Sequence, residues 1–228
     1  MQNTLDPPGS IAILGGGPVG IEAALYGRYL GYQVTLFEAD RLAASLWQTP
    51  EQSAPANFAS PLGVAALAAQ RASGGTALDL EVTTCQQWAE DYFQRLGETD
   101  LLSGRIRLGQ PVTRIAWAPP EEEGESEEAA GDEEPSSDEV PADFFVFCSA
   151  ADEEPVGERF EAIIDARGAQ APNLGPHSDG APIAEYYFRV GRCADPTMDY
   201  ITGLDQIRSL FAALQDRPGL DVYRNLGG

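Results

Sequence analysis

The chain has no lysine at all, a single histidine and only three cysteines in 228 residues. Its 14 basic residues are all arginine and face 36 acidic ones, for a net charge of −22. A phosphate backbone needs a basic surface, so this balance argues against nucleic acid as a partner, and against an anionic membrane surface for the same reason. The one histidine, His177, lies in a Gly/Pro/Ser-rich connection and reads as an exposed loop residue. Histidine metal sites and a Ser-His-Asp arrangement are thereby disfavoured, and no metal site is expected. Cys85, Cys148 and Cys193 are far apart and form no CxxC pair. That argues against both a secreted disulfide scaffold and a dithiol redox centre, and leaves buried apolar thiols as the plain reading. No apolar run reaches 18 residues, so no membrane-spanning helix is expected. Met1 to Ser10 has neither a basic nor an apolar stretch, so no secretory signal is read there and a cytoplasmic location follows by default.

What is present is 43% apolar residues, enough for a sizeable core. One segment stands apart. Pro119 to Asp143 carries 12 acidic residues and no basic one; the rest of the chain then carries −10. Apolar side chains are nearly missing there, so the segment cannot offset its own ordering entropy. It reads as a mobile hairpin tip or loop within a single domain spanning residues 1–228. Docking of a basic partner is the alternative use for such a run.

The opening segment has the clearest pattern. Ser10 to Leu14 is a short apolar run that suits a buried parallel strand. Gly15 to Gly20 is a turn, Ile21 to Leu30 has helix composition, and Gly31 stops that helix. Gln33 to Phe37 is a second strand with Glu38 at its end. Farther on, residues 43–63 look loop-like and Gly63 to Ser73 is an alanine-rich helix candidate. Thr84 to Leu96 is a better helix, with Trp88, Tyr92, Phe93 and Leu96 on its core face. Strands are expected at Ile106–Leu108, Val112–Ala118, Asp143–Ser149, Ala162–Asp165 and Tyr186–Val190, and a closing helix at Thr202–Leu214. Alternation of strand, helix and turn predicts an α/β architecture.

The chemistry begins at Gly15-x-Gly17-x-x-Gly20. Gly15 allows the sharp strand-to-helix turn, Gly17 lets the backbone approach a pyrophosphate, and Gly20 permits close helix–strand packing. The pyrophosphate would sit over the helix N-terminus, where unpaired N–H groups and the dipole favour negative charge. Pro18 suits the first helical position, where its missing N–H costs nothing. Glu38 can accept hydrogen bonds from both hydroxyls of an adenosine ribose and would repel a 2′-phosphate. The motif is followed by a helix and a second strand ending in an acid, which is the context it requires. It does not by itself separate FAD from NAD. Gly27 departs from the pattern, since an apolar residue usually stands there.

Several blocks resemble the FAD-binding half of the flavin monooxygenase and pyridine nucleotide-disulfide oxidoreductase-like flavoproteins. They are Phe37–Asp40 with Leu46-Trp47, Asn57–Gly63, Glu161–Gly168, and Tyr187–Gly191 with Ile201–Ile207. The resemblance implies a Rossmann-like FAD/NAD(P)-binding fold: a central parallel sheet with helices and an added antiparallel β element. It implies FAD as cofactor, held by Gly15, Gly17, Pro18, Val19 and Gly20 at the pyrophosphate and by Glu38, Ala39, Asp40 and Trp47 on the adenosine side. Val112 would lie near the adenine, and Ala166, Arg167 and Gly168 would pass close to the dinucleotide. Gly191 would approach the ribityl and phosphate region, and Thr202-Gly203 would face the flavin pyrimidine carbonyl from a helix N-terminus.

Two departures qualify this. Arg167 stands where the family has threonine, so its guanidinium pairs with a phosphate, pairs with an acid, or obstructs the site. The family also inserts an NAD(P)-binding domain before the final strand, whereas here only Gly175 to Glu185 join the blocks and no second glycine fingerprint occurs. The expected function is thus an FAD-binding oxidoreductase reduced by a substrate or a protein electron donor. The alternatives are a non-catalytic FAD-binding or interaction module and a simple NAD-binding Rossmann domain. No catalytic residue is assigned: Cys193 would lie near a flavin, and Asp195 and Asp199 are candidate bases for which surface acids on a loop are the commoner reading.

Overall fold

The computed structural model describes residues 4–53, 63, 84–118, 143–149, 157–169, 171–175 and 185–225. The expected helix at 63–73, most of the block at 57–63, the acidic segment through 142 and His177 lie outside the described residues.

The first strand, β1 (Ser10–Leu14), is buried along nearly its whole length, as a short apolar run covered on both faces must be. It feeds α1 (Pro18–Tyr29), which begins three residues earlier than its composition indicated, with proline at its first turn. Gly31 ends the helix at φ +96°, a conformation that costs glycine little. The chain returns as β2 (Gln33–Glu38), which pairs with β1 in parallel, Leu14 opposite Phe37. This is a βαβ unit.

Three more strands complete the main sheet. β3 (Ile106–Leu108) pairs with β2, β7 (Ala162–Asp165) with β1, and β8 (Tyr187–Arg189) with β7, all in parallel. The order is β3-β2-β1-β7-β8. Because every pair is parallel, the C-terminal ends of all five strands lie on one edge. The order also reverses direction between β1 and β7, which opens a crevice there.

A second sheet is antiparallel: β4 (Val112–Trp117), β5 (Phe144–Cys148) and β6 (Gly157–Phe160), in that order. Together the two sheets give the expected Rossmann-like α/β fold. Two details differ from the sequence reading. The expected strand at Val112–Ala118 ends one residue earlier, at Trp117, and β6 was not anticipated, because half its side chains are polar. Arg159 of β6 is held by the Asp143 carboxylate at the start of β5. Trp117 stands opposite Phe144, so the acidic segment joins β4 to β5 at one end of this sheet.

Of the remaining helices, α2 (Ala44–Trp47) is a single turn. The aromatic helix α3 starts with a Thr84–Gln87 capping box and is α-helical over Cys85–Gln87 and Arg95–Gly97. Between them Trp88–Gln94 is π-helical, a rare form that the periodicity did not reveal. The wider turn keeps Trp88, Tyr92 and Phe93 all in the core, with Tyr92 edge-on to both neighbours at 5.1 and 4.9 Å. The long helix α4 (Tyr200–Leu214) begins two residues before its expected start and packs on α1, with Phe211 stacked on Tyr26 at 5.1 Å. Gly27 is explained here. A Cβ on it would stand 3.1 Å from both Phe211 and Val34, so the glycine is what lets α1 lie close to α4 and β2. A last turn, α5 (Val222–Asn225), brings Val222 N–H to the Tyr26 hydroxyl at 3.1 Å.

Candidate functional site

The C-terminal edge of the main sheet gathers residues from distant parts of the sequence. Gly15 leaves β1 at φ +99°, with its N–H donating to Phe37 O at 2.8 Å. A side chain here is excluded twice over: the backbone conformation disfavours one, and a Cβ would meet the Arg167 backbone at 3.0 Å. At Gly20 the case is sterically absolute, since a Cβ would stand 1.9 Å from Gly15 O. These two glycines hold the turn together. Gly17 differs: no atom lies within 4 Å of where its Cβ would be. Nothing in the fold requires a glycine there, so the backbone is left bare toward open space. Gly17 is also the N-cap of α1, which has no side-chain cap and no acid in its first turn. The result is an unclaimed helix N-terminus, with Pro18 and Val19 beside it, suited to an anion.

Glu38 ends β2 beside this loop. Its Oε2 accepts from Gly16 N–H at 2.6 Å and its Oε1 from Asp40 N–H at 2.9 Å. Each oxygen keeps a further acceptor site, so the carboxylate is positioned by the backbone and still able to bind a hydroxyl pair. Gly16 was not singled out in the sequence, though the run Gly15-Gly16-Gly17 contained the signal. Its N–H anchors Glu38, and a Cβ on it would stand 2.8 Å from Leu42. Ala39 and Asp40 follow directly on the same edge. Asp40 pairs with Arg41 at 3.5 Å, and the Arg41 guanidinium lies 5.1 Å over the Trp47 ring. The Trp47 Nε1 is enclosed and has no hydrogen-bond partner among the described residues. Gln110 N–H donates to Glu38 O at 3.2 Å, which puts Val112, at the start of β4, two residues from this edge.

On the other side of the crevice, Ala166 N–H donates to Leu14 O at 2.9 Å, continuing the sheet past Asp165. Arg167 turns its side chain back onto Asp165 in a bidentate pair, Nε to Oδ1 at 2.9 Å and a terminal nitrogen to Oδ2 at 2.8 Å. The same nitrogen donates to Pro172 O at 3.0 Å, and the Tyr187 hydroxyl donates to Asp165 Oδ2 at 2.9 Å. Asp165 is only 2% exposed. Burial alone would raise its carboxyl, but the Arg167 hydrogen bonds and charge, with the Tyr187 hydroxyl, outweigh it and hold the group below the usual carboxylate range. Of the roles open to Arg167, pairing with an acid is the one realised in this structure. Asp165 was the overlooked partner, two residues away. Gly168 is exposed, with open space where a Cβ would go.

The C-terminal block converges on the same loop. A Cβ at Gly191 would stand 3.3 Å from Val19, and one at Gly203 would stand 2.8 Å from it. Gly191 lies at φ +60°, its N–H bound to Gln206 Oε1 at 2.7 Å. The N-terminus of α4, however, is capped. Asp199 Oδ1 accepts from both Thr202 N–H and Thr202 Oγ1 at 2.8 Å. Thr202 and Gly203 are therefore inside the first turn rather than at its start. Asp three residues before Thr is ordinary N-cap spacing, so the signal was available. Cys193 is buried; burial and then Asp165 push its thiol up, against the hydrogen bond from Arg189 Nε at 3.4 Å, so it is not poised as a thiolate.

No family model and no curated protein matches this chain. Among solved structures it is similar to the bacillithiol disulfide reductase of Bacillus cereus, at 17% identity and a TM-score of 0.48, over 91% of this chain and 56% of that one. It is also similar to the S-allyl-L-cysteine S-oxygenase of Allium sativum, at 17% identity and a TM-score of 0.42, over 70% of this chain and 36% of that one. A third is the FAD-bound form of OTEMO, at 15% identity and a TM-score of 0.44, over 74% of this chain and 27% of that one. The chain thus spans just over half or less of the length of these proteins. The site described above is defined by this chain's own residues: a glycine turn, an uncapped helix start and a strand-end acid at the switch point of a parallel sheet.

Proposed function

We propose that the chain binds FAD and works as the flavin-binding unit of an oxidoreductase. The bare backbone at Gly17 would hold the pyrophosphate, Glu38 the adenosine ribose, and Gly191 and Gly203 would border the flavin end. The observation that carries this reading is the convergence on Val19. Gly191 and Gly203 stand far from the glycine turn in sequence, yet both come within van der Waals reach of Val19. A dinucleotide that extends past the pyrophosphate toward this C-terminal block fits that placement. The chemical fit is good as well, since the donor set is backbone N–H for anionic phosphate and carboxylate for ribose hydroxyls. The bound flavin supplies one- and two-electron redox chemistry of its own. The protein's part is to bind and orient it, and residues 166–186, which join β7 to β8, are too few to form a nicotinamide-binding domain. Electrons supplied by a substrate or a partner protein fit that short connection.

A second reading, nucleotide binding without catalysis, is favoured by one observation. The Asp199 carboxylate already occupies the Thr202 N–H and offsets the dipole that would stabilise an anionic reduced ring.

Colour decides the first question. Purified protein is expected to be yellow, or to become so with added FAD, and to release flavin on denaturation. A colourless protein that takes up no FAD and gains no thermal stability from it contradicts the proposal. Anaerobic mixing with NADH or NADPH then tests direct reduction by a nicotinamide: no bleaching by either is expected under both readings, and bleaching contradicts both. A partner reductase or substrate that bleaches the flavin selects the oxidoreductase.

A further inference from the structure

One buried group takes no part in the site just described. Glu22 lies on α1 five residues past Gly17 and is 1% exposed; it is the one charged group among the buried residues of that helix. Its Oε1 is enclosed and has no hydrogen-bond partner among the described residues. Four elements close around it. Tyr92 comes from the π-helical part of α3, Tyr200 from the first turn of α4, Tyr223 from α5 and Tyr26 from α1 itself, and all four feel its charge. The Tyr92 hydroxyl is enclosed and, like Oε1, lacks a hydrogen-bond partner among the described residues. The Tyr223 hydroxyl faces the carboxyl and eases its ionisation, against the larger upward push of burial. Gly63 packs its backbone directly onto the carboxyl; a Cβ there would stand 2.0 Å from Oε1. The Tyr200 hydroxyl faces the same Gly63 backbone. No arginine among the described residues forms an ion pair with Glu22, and Asp221 and Arg208 act on Tyr26.

A carboxylate this deep, with one oxygen unpartnered and no ion pair to an arginine among the described residues, has little there to offset its lost hydration. A neutral carboxylic acid in the same place can both donate and accept toward the tyrosine hydroxyls. We propose that Glu22 carries a proton in the folded protein, and that the Glu22–Tyr92–Tyr200–Tyr223 cluster is a proton-operated latch tying the helix of the glycine turn to α3, α4, α5 and the chain at Gly63. Neutral, the cluster is closed; ionised, it works against the packing of all four elements. The geometry and the burial agree in direction, for burial pushes the carboxyl from 4.5 up to about 7. A group raised in this way stabilises the fold fully below pH 4.5, and that contribution is lost as pH rises to about 7.

The test compares the full chain with its Glu22→Gln variant, which keeps shape and polarity but cannot ionise. Thermal unfolding is followed from pH 4.5 to 8. The wild-type Tm is expected to fall relative to the variant by roughly 5 to 10 °C between pH 4.5 and 7, and the two curves to run parallel above that. Parallel curves throughout overturn the proposal. A wild-type measurement covers the case of a variant that does not fold. In protein labelled at the glutamate carboxyl carbon, one resonance should titrate near pH 7, apart from the others; titration of every glutamate below about pH 5.5 overturns the proposal. Exchanging potassium for choline at equal ionic strength should leave that midpoint unmoved. A midpoint that follows the cation replaces the proton with a bound ion and overturns the latch.

Discussion

Gly17 and Gly20 stand three residues apart in one turn and answer to different demands. Gly20 is needed by the fold, because a Cβ there collides with Gly15 O at 1.9 Å. Gly20→Ala is expected to cost at least about 3 kcal/mol in chemical unfolding, whether or not a ligand is present. Gly17 has open space around it and an ordinary φ of −73°. Gly17→Ala should leave stability within about 0.5 kcal/mol and weaken FAD binding at least roughly tenfold by fluorescence titration. Equal loss of stability in both variants would remove Gly17 from the ligand site. The Asp165–Arg167 pair behaves differently again. Removing one partner of a buried pair leaves a bare charge, so Arg167→Ala should destabilise by about 3 kcal/mol at neutral pH. The Asp165 carboxyl is held low, so its contribution is present at neutral pH and lost as pH falls below the carboxylate range. The Arg167→Ala defect should therefore shrink toward low pH in urea melts, while a defect that persists there would point to packing instead.

Among the elements, α1 and α4 frame the crevice, and their two starts contrast. α1 has no side-chain cap, whereas α4 is capped by Asp199. Asp199→Ala is expected to cost about 1 kcal/mol of stability and to free the Thr202 N–H. If the flavin reaches α4, the same substitution should make the bound flavin easier to reduce, read as a more positive midpoint potential; an unchanged potential would place the flavin away from that helix. How far the sequence revealed these elements depended on how local their causes were. β1, α1 and β2 were legible because an apolar run, a glycine turn and a strand-end acid act within a few residues. The π-helical turn at Trp88–Gln94 was not, because its aromatic spacing also satisfies an α-helix and only the fit of Trp88, Tyr92 and Phe93 into the core separates the two. β6 was missed because its alternation is broken by Glu158 and Arg159, and its pairing partner β5 supplies what its own composition does not.

At the scale of the molecule, ligand binding and stability are linked. If FAD binds the native state alone, a hundredfold excess over its Kd should add about 2.7 kcal/mol and raise Tm by roughly 5 to 10 °C, with ADP giving a smaller rise through the Glu38 half of the site. No shift with either contradicts the dinucleotide reading. Among the described residues no helix is long and apolar enough to cross a membrane. The βαβ unit, its glycine turn and the acid at the end of β2 were determined by the sequence by itself, because each depends on backbone conformations and periodicities set by near neighbours. What only the tertiary structure decided were the meetings between distant residues: Gly191 and Gly203 on Val19, Arg167 turned onto Asp165, and Glu22 closed in by Tyr92, Tyr200 and Tyr223. Burial and charge pairing across such separations leave no period in the chain. They arise when the parallel sheet brings its strand ends to one edge and the helices close over its face.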